Sequence, residues 1–238
     1  MKNEKKKIIA LIPARGGSKS IKNKNLALLN GKPLIQYAIS SAKKSKYINR
    51  IIVSTDSNKI KSTALKLGAE VPFLRPKKIS GDTTLDYPVM EHMIKSLKLE
   101  GKKFKNYILV FLRPTQPLRT FKDIDKVIKE FFFNKKINCV RSVRKSIYPP
   151  FWMKKIDKQK NIKPLMNNLY FRKHFRRQDL PETFMCDGYC DAIKIGYLLK
   201  EKKFPPKKIK AVKSFTKDFV DIDDKEDLDI ASALLNII

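Results

Sequence analysis

The stretch Ile8 to Asn25, IIALIPARGGSKSIKNKN, constrains this chain more than any other. An apolar run of strand length, Ile8 to Ile12, stops at Pro13 and opens into a loop with two glycines and four cations, Arg15, Lys19, Lys22 and Lys24. Gly16 and Gly17 let the backbone turn sharply and come close to an anion, exposed N–H groups can donate to phosphate oxygens, and the basic side chains add charge. In open α/β sheets, ligands bind outside the carboxyl ends of the strands, which is where this loop falls. A polyphosphate cradle is one reading and a solvated basic turn is the other. Two familiar phosphate loops are excluded. Ser18 separates Gly17 from Lys19, so the Gly-Lys-Ser/Thr ending of a P-loop is missing, and adjacent glycines with no third do not make G-x-G-x-x-G.

The rest of the chain supplies elements for such a sheet. A helical stripe (Ile35, Ala38, Ile39, Ala42) runs to about Lys44, and Arg50 to Thr55 reads as a buried strand ending at Asp56. A helix over 59–67 with Gly68 as its stop, a short strand over 70–74, and a helix capped by Asp86 and carrying His92 follow. Tyr107 to Leu112 is the most apolar strand and reads as central; a helix over 122–133 and a strand over 138–144 come next. A strand over 209–215 and a helix over 226–235 close the chain. Strands alternating with helices of this length predict right-handed crossovers and an α/β fold with a mainly parallel sheet. At 238 residues the chain suits one domain burying roughly 70 to 75% of its unfolded surface. From Lys145 to about 185 the pattern breaks into an aromatic, proline-marked excursion, readable as a surface hairpin or as an oligomer contact.

The formal charge of +30 raises nucleic acid as a partner. Only ten of the 53 basic residues are arginine, the lysines are scattered over nearly every segment, and no recognition motif is present. A lysine-biased composition with non-specific polyanion adhesion at low salt is the simpler account. Three cysteines without a Cys-x-x-Cys pair fit a reducing compartment. The absence of a long apolar run or a signal-peptide pattern leads us to expect a cytoplasmic protein that binds no membrane.

Two further clusters carry chemistry. In Phe219-Val-Asp-Ile-Asp-Asp224, alternation puts Asp221 and Asp223 on one face and Ile222 on the other. Two carboxylates on one face make a hard-oxygen site for Mg²⁺; alternatively, Asp223 or Asp224 caps the following helix. The adjacent guanidinium groups of Arg176 and Arg177 suit a carboxylate or phosphate.

The string Ala14-Arg15-Gly16-Gly17-Ser18-Lys19, with Ile21, Lys24 and Asn25, resembles the N-terminal signature of the acylneuraminate cytidylyltransferases, the CMP-sialic acid synthetases. Pro114, Thr115, Pro117, Leu118 and Arg119 match that family's Gln-Pro-Thr-Ser-Pro-Leu-Arg, with Arg113 and Gln116 departing from it. Arg177-Gln178-Asp179-Leu180-Pro181 recurs in the family before a glycine-containing strand, here with Asp187 in place of asparagine before Gly188.

The resemblance covers nearly the whole chain and implies a Rossmann-like nucleotidyltransferase domain that moves CMP from CTP to a nine-carbon 2-keto sugar acid, in the service of cell-surface polysaccharide synthesis. It implies that Arg15, Gly16, Gly17, Ser18, Lys24 and Asn25 hold the nucleotide, with Arg75 and Asp82 on its other side. It further implies sugar contacts from Arg113, Thr115, Gln116, Arg177 and Gln178, Mg²⁺ on Asp221 and Asp223, and a homodimer embraced through 145–185. Arg15, Lys24 and Asp223 are the residues it makes catalytic; His92 reads as structural. An enzyme for an eight-carbon octulosonate is the near alternative, and its relatives resemble this chain less at the first loop.

Overall fold

A computed structural model describes residues 7–166 and 176–237. The lysine-rich start of the chain and residues 167–175 of the predicted excursion lie outside the described residues. The chain divides into two compact units, the first comprising residues up to Ser142 and from Gly188, the second Val143–Asp187.

The first unit is built on a six-stranded sheet. Its strands in chain order are β1 (Ile8–Pro13), β4 (Arg50–Ser54), β5 (Ile108–Phe111), β6 (Cys139–Lys145), β9 (Phe184–Lys194) and β10 (Lys210–Lys213), laid side by side as β10-β6-β9-β5-β1-β4. β1 runs parallel to both neighbours, with Ile9 opposite Arg50 and Leu109, while β9 is antiparallel to β5. Alternation decides the two faces. Ile8, Ala10 and Ile12 enter one core with α1 (Leu34–Lys44), α2 (Asn58–Lys66) and α4 (Phe121–Phe133). Ile9 and Leu11 enter the other with α3 (Asp86–Ser96) and α5 (Ile195–Glu201). Both faces of the sheet are therefore covered, as continuous apolar strands require. A hairpin of β2 (Leu28–Leu29) and β3 (Lys32–Pro33) turns at Asn30 and Gly31, both with positive φ, as a tight two-residue hairpin demands. Asn30 bonds Ser232 and Asn236 of α6 (Lys225–Ile237), seating the last helix beside the first loop.

Two expectations need correction, and one element is unexpected. The strand over 70–74 shrinks to one bridge, Ile52 to Glu70, because Pro72 has no N–H to continue a ladder. Asp86 is the first residue of α3 and not its cap; Leu85 holds that position. α5 carried no clear sequence signal and was not foreseen.

The second unit contains a hairpin of β7 (Lys154–Ile156) and β8 (Ile162–Pro164). Ile156 and Ile162 face each other across it and are 72% and 71% exposed.

Candidate active site

The carboxyl ends of β1 and β5 open on a cleft of about 240 Å³ in the first unit. Arg15, Ser18, Lys24, Asn25, Arg75, Asp82, Arg113 and Thr115 line it, so eight of the residues predicted from sequence converge here.

The opening loop is held differently from its sequence reading. Neither Gly16 nor Gly17 has positive φ; the left-handed residue is Asn23, at φ 56°. Gly16 is required for closeness, because an added Cβ would meet Ser57 Cβ at 3.0 Å, whereas Gly17 has open space. The Gly16 N–H is not free for phosphate, since it donates to Asp56 Oδ1 at 2.8 Å. Asn25, buried, donates to the Arg15 carbonyl at 2.9 Å and so fixes the main chain from which Arg15 projects. Arg15 Nη1 returns to Gly17 O at 2.8 Å.

Carboxylates compensate most of the cleft's cations. Asp82 pairs with both Arg15 and Lys19, and these two bonds, Lys19's foremost, hold its carboxyl below the usual range. Arg113 spans two carboxylates, Nη1 to Asp191 at 2.8 Å and Nη2 to Asp86 at 2.5 Å, and lies over the Phe111 ring. Burial opposes its charge, but the two carboxylates outweigh burial and raise its pKa. Asp191 is fully buried and is also gripped by Arg141, Nε to Oδ1 at 2.7 Å. Arg75 differs: it is 6% exposed, and Nε and Nη2 have no hydrogen-bond partner among the described residues. Desolvation lowers its pKa, against the pull of Asp56 and with the push of Arg15.

The two acidic residues near the far end of the chain reach the same place. Ile222 is buried and its N–H donates to Thr115 O at 2.9 Å, which leaves Asp221 and Asp223 turned the other way. Lys24 Nζ donates to Ile222 O at 2.9 Å and to Asp223 Oδ1 at 3.1 Å, tying the first loop to this segment. Burial chiefly, and Asp223 next, raise the Asp221 pKa, while a hydrogen bond from Thr115 lowers it. Capping falls to Asp224, whose Oδ1 accepts from Asp227 N at 3.0 Å, so the other two carboxylates remain for another role. A hard divalent cation fits this pair: both side chains offer carboxylate oxygens, and the burial that raises the Asp221 pKa is a cost a cation would relieve. Among the described residues no group of three or more His, Cys, Asp or Glu forms a metal cage, so the other ligands would be water and phosphate oxygens.

Other predicted residues stand apart from this cleft's lining. Gln116 is 1% exposed, both polar atoms of its amide lack partners among the described residues, and it packs where Gly188 has no Cβ. Arg177 and Gln178 line a hollow of about 280 Å³ within the second unit. Asp187 is buried. His92 packs edge-on against Phe73, a structural role. Sequence reasoning missed Asp56, Asp86, Asp191 and Arg141, which act through partners far along the chain. Asp56 left a signal as the polar residue ending a buried strand, and Asp86 only as a candidate helix cap.

A family model described as Cytidylyltransferase matches residues 9–234. Post-translational flagellin modification protein B of Campylobacter coli is 33% identical over 194 residues, 81% of this chain and 80% of its own. CMP-N,N'-diacetyllegionaminic acid synthase of Legionella pneumophila is 37% identical over 157 residues, 66% of each chain. Among solved structures, CMP:2-keto-3-deoxy-manno-octonic acid synthetase complexed with CTP superposes with a TM-score of 0.70 at 15% identity, covering 97% of this chain and 99% of that one.

Proposed function

The chain belongs to the cytidylyltransferase family, and we propose that it transfers CMP from CTP to the anomeric hydroxyl of a nine-carbon 2-keto sugar acid of the sialic, legionaminic or pseudaminic type. The observation that carries this reading is the cleft itself. Arg15, Lys24, Arg75 and Arg113 line one hollow at the carboxyl edge of the sheet, and Lys24 reaches from it to the Asp221–Asp223 pair. A polyanion with a cation partner is the ligand such a site suits. The legionaminic acid relative at 37% identity supports the nine-carbon acid over the eight-carbon one, since the octonic acid enzyme shares only the fold.

In the reaction, the anomeric oxygen attacks the α-phosphorus in line, the bond to the β-phosphate oxygen breaks, and pyrophosphate leaves. Arg15 and Lys24 hold the β- and γ-phosphates and offset charge gathering on the leaving group, with Ser18 contributing a hydroxyl from the same loop. Gly16 and Asn25 keep that loop in place, and Gly17 leaves the phosphates room. Arg75 lies at the nucleotide side, and Arg113 and Thr115 face the sugar acid. Asp221 and Asp223 would hold Mg²⁺, which when bound supplies positive charge beside the α-phosphate. The exposed apolar residues of the second unit, Tyr148, Ile156 and Ile162, support a homodimer through that unit. No described helix is long and apolar enough to cross a membrane, and nucleotide chemistry of this kind supports a cytoplasmic enzyme.

The test is pyrophosphate release from CTP and Mg²⁺ with a panel of eight- and nine-carbon 2-keto sugar acids, with ATP, GTP and UTP as controls. Release with CTP and a nine-carbon acid alone supports the reading. Release only with an octulosonate shifts the substrate, and failure to bind CTP at all overturns the nucleotide assignment.

A further inference from the structure

Apart from the cleft, a larger hollow of about 520 Å³ opens in the first unit between α1 and the start of α4. Lys32, Lys44, Arg119 and Lys122 line it, with no acidic side chain among the described residues of its wall, and Tyr37 and Phe121 supply apolar surface. The lysines alone would be ordinary surface charge. Arg119 is not, because it is 4% exposed. Its Nη1 donates to the carbonyl oxygens of Arg113 at 3.0 Å and Tyr189 at 3.1 Å, and Nε to Ser41 Oγ at 3.4 Å. Nη2 has no partner among the described residues. A guanidinium presents five donors in a fixed fork, and buried donors are seldom left unmade.

Asp123, the carboxylate that draws on Arg119, is committed elsewhere, to the Thr120 hydroxyl and to the N–H groups of Phe215 and Thr216. We propose that this hollow is a second anion site, taking the dianionic head of a phosphate monoester whose apolar or aromatic body rests on Tyr37 and Phe121. A doubly charged head suits the surplus of positive charge better than a single carboxylate does, and the volume falls within the range of small-molecule sites. Burial, which has pushed the Arg119 pKa down to about 10, is the cost such an anion would relieve. The site has a path to the cleft: the guanidinium that would meet the anion also holds the carbonyl of Arg113, whose side chain lines the cleft.

Phenyl phosphate, which pairs a ring with a dianion, is the probe, and its binding to the full chain is measured by isothermal titration calorimetry. Arg15→Ala, which weakens the cleft, should leave the dissociation constant unchanged. Ser40→Trp, which fills the hollow, and the Lys44→Glu, Lys122→Glu double variant should each weaken binding about tenfold or more, the size of one lost ionic contact. Lys44 and Lys122 are exposed, so the double variant remains informative if Ser40→Trp folds poorly. Binding that is lost with Arg15→Ala and kept in the double variant, binding indifferent to every variant, or no saturable binding up to about 10 mM ester, would each overturn the proposal.

Discussion

Asp191→Asn removes one charge from the buried network behind the cleft. Asp191 lies on β9 opposite Phe111, with no side-chain exposure, and accepts from Arg113 at 2.8 Å and from Arg141 at 2.7 and 3.2 Å. Asparagine keeps the shape but turns an NH₂ toward guanidinium N–H groups and leaves two half-buried cations facing each other. Removing one partner from a buried ion pair costs about 3 to 5 kcal/mol. Arg113 retains Asp86, which favours the lower end, near 3 kcal/mol by that principle. For a chain of this size that corresponds to a fall in Tm of roughly 6 to 12 °C. Calorimetric melting and urea unfolding measure it. A second consequence is functional: Arg113, held by Asp86 alone, should raise the KM for the sugar acid more than that for CTP. Adding Arg141→Met should recover part of the loss, because the surplus cation goes with it, so the two changes are not additive. A cost under about 1 kcal/mol, the value of an exposed pair, would refute the claim that Asp191 anchors Arg113 through a buried charge.

Asp223→Ala should lower CTP turnover by at least about a hundredfold, as loss of a metal ligand does, while Tm moves by no more than about 2 °C, because its pair with Lys24 is exposed on the acid side. Near-normal activity would remove Asp223 from the site. Asp221→Asn should stabilise the protein at pH 7: a carboxylate whose pKa is raised on folding binds its proton more readily in the native state, so its cost is present at neutral pH and fades as the pH falls toward the ordinary value of 3.8. Melting curves across that range should show the gain shrinking; a gain that is constant with pH contradicts the assignment. Gly16→Ala should lower Tm by several degrees because its Cβ meets Ser57, whereas Gly17→Ala should leave Tm unchanged, and equal effects would mean that the approach to Ser57 does not decide the cost. Asp82→Asn should tighten CTP binding about two- to fivefold by releasing Arg15 and Lys19 from a surface pair worth up to about 1 kcal/mol; weaker binding in equilibrium dialysis would show that Asp82 touches the nucleotide itself.

What could be read from the residues is what local periodicity governs. The apolar run of β1 halted by Pro13, the 3.6-residue stripe of α1 and the two-residue alternation at Asp221–Asp223 each depend on neighbours a few positions away. Partner choice is not local. Arg113 finds Asp191 across 78 residues and Lys24 finds Ile222 across 198, and nothing in either segment names the other. The position of β9 is similarly hidden. It lies between β5 and β6 and runs against β5, because the chain reaches it through the second unit and not through a crossover helix. The glycines misled for a related reason: composition marks a loop, but Asn23 carries the left-handed turn and the Gly16 N–H was already claimed by Asp56. Proline is the more dependable sign, ending β1 at Pro13 and, at Pro72, cutting the short strand to a single bridge.

The accounting of charge shows why four cations in one cleft need not make a promiscuous polyanion trap. Arg15 rests on Asp82, Lys24 on Asp223, and Arg113 on Asp86 and Asp191. At Arg15 and Lys24 an incoming phosphate must exchange with a carboxylate, and exposed pairs of this kind are worth only about 0 to 1 kcal/mol, so the exchange is close to balanced, whereas Arg113 stays anchored on buried Asp191. The carboxylates keep long side chains ordered before a ligand arrives, which spares part of the roughly 0.5 to 1.5 kcal/mol that fixing each one costs. Arg75 is the exception. Its backbone N–H is fixed to Thr55 O at 2.7 Å, its guanidinium is buried with Nε and Nη2 unpartnered among the described residues, and the carboxylate that draws on it, Asp56, is already bonded to Gly16. A ligand atom that reaches Arg75 restores bonds lost on burial and displaces no carboxylate, so net affinity concentrates there. The remaining cations act mainly through geometry, deciding where the other phosphates lie once that contact is made. Because exchange of one anion for another changes the local charge little, nucleotide binding should depend on salt less steeply than four free cations would dictate.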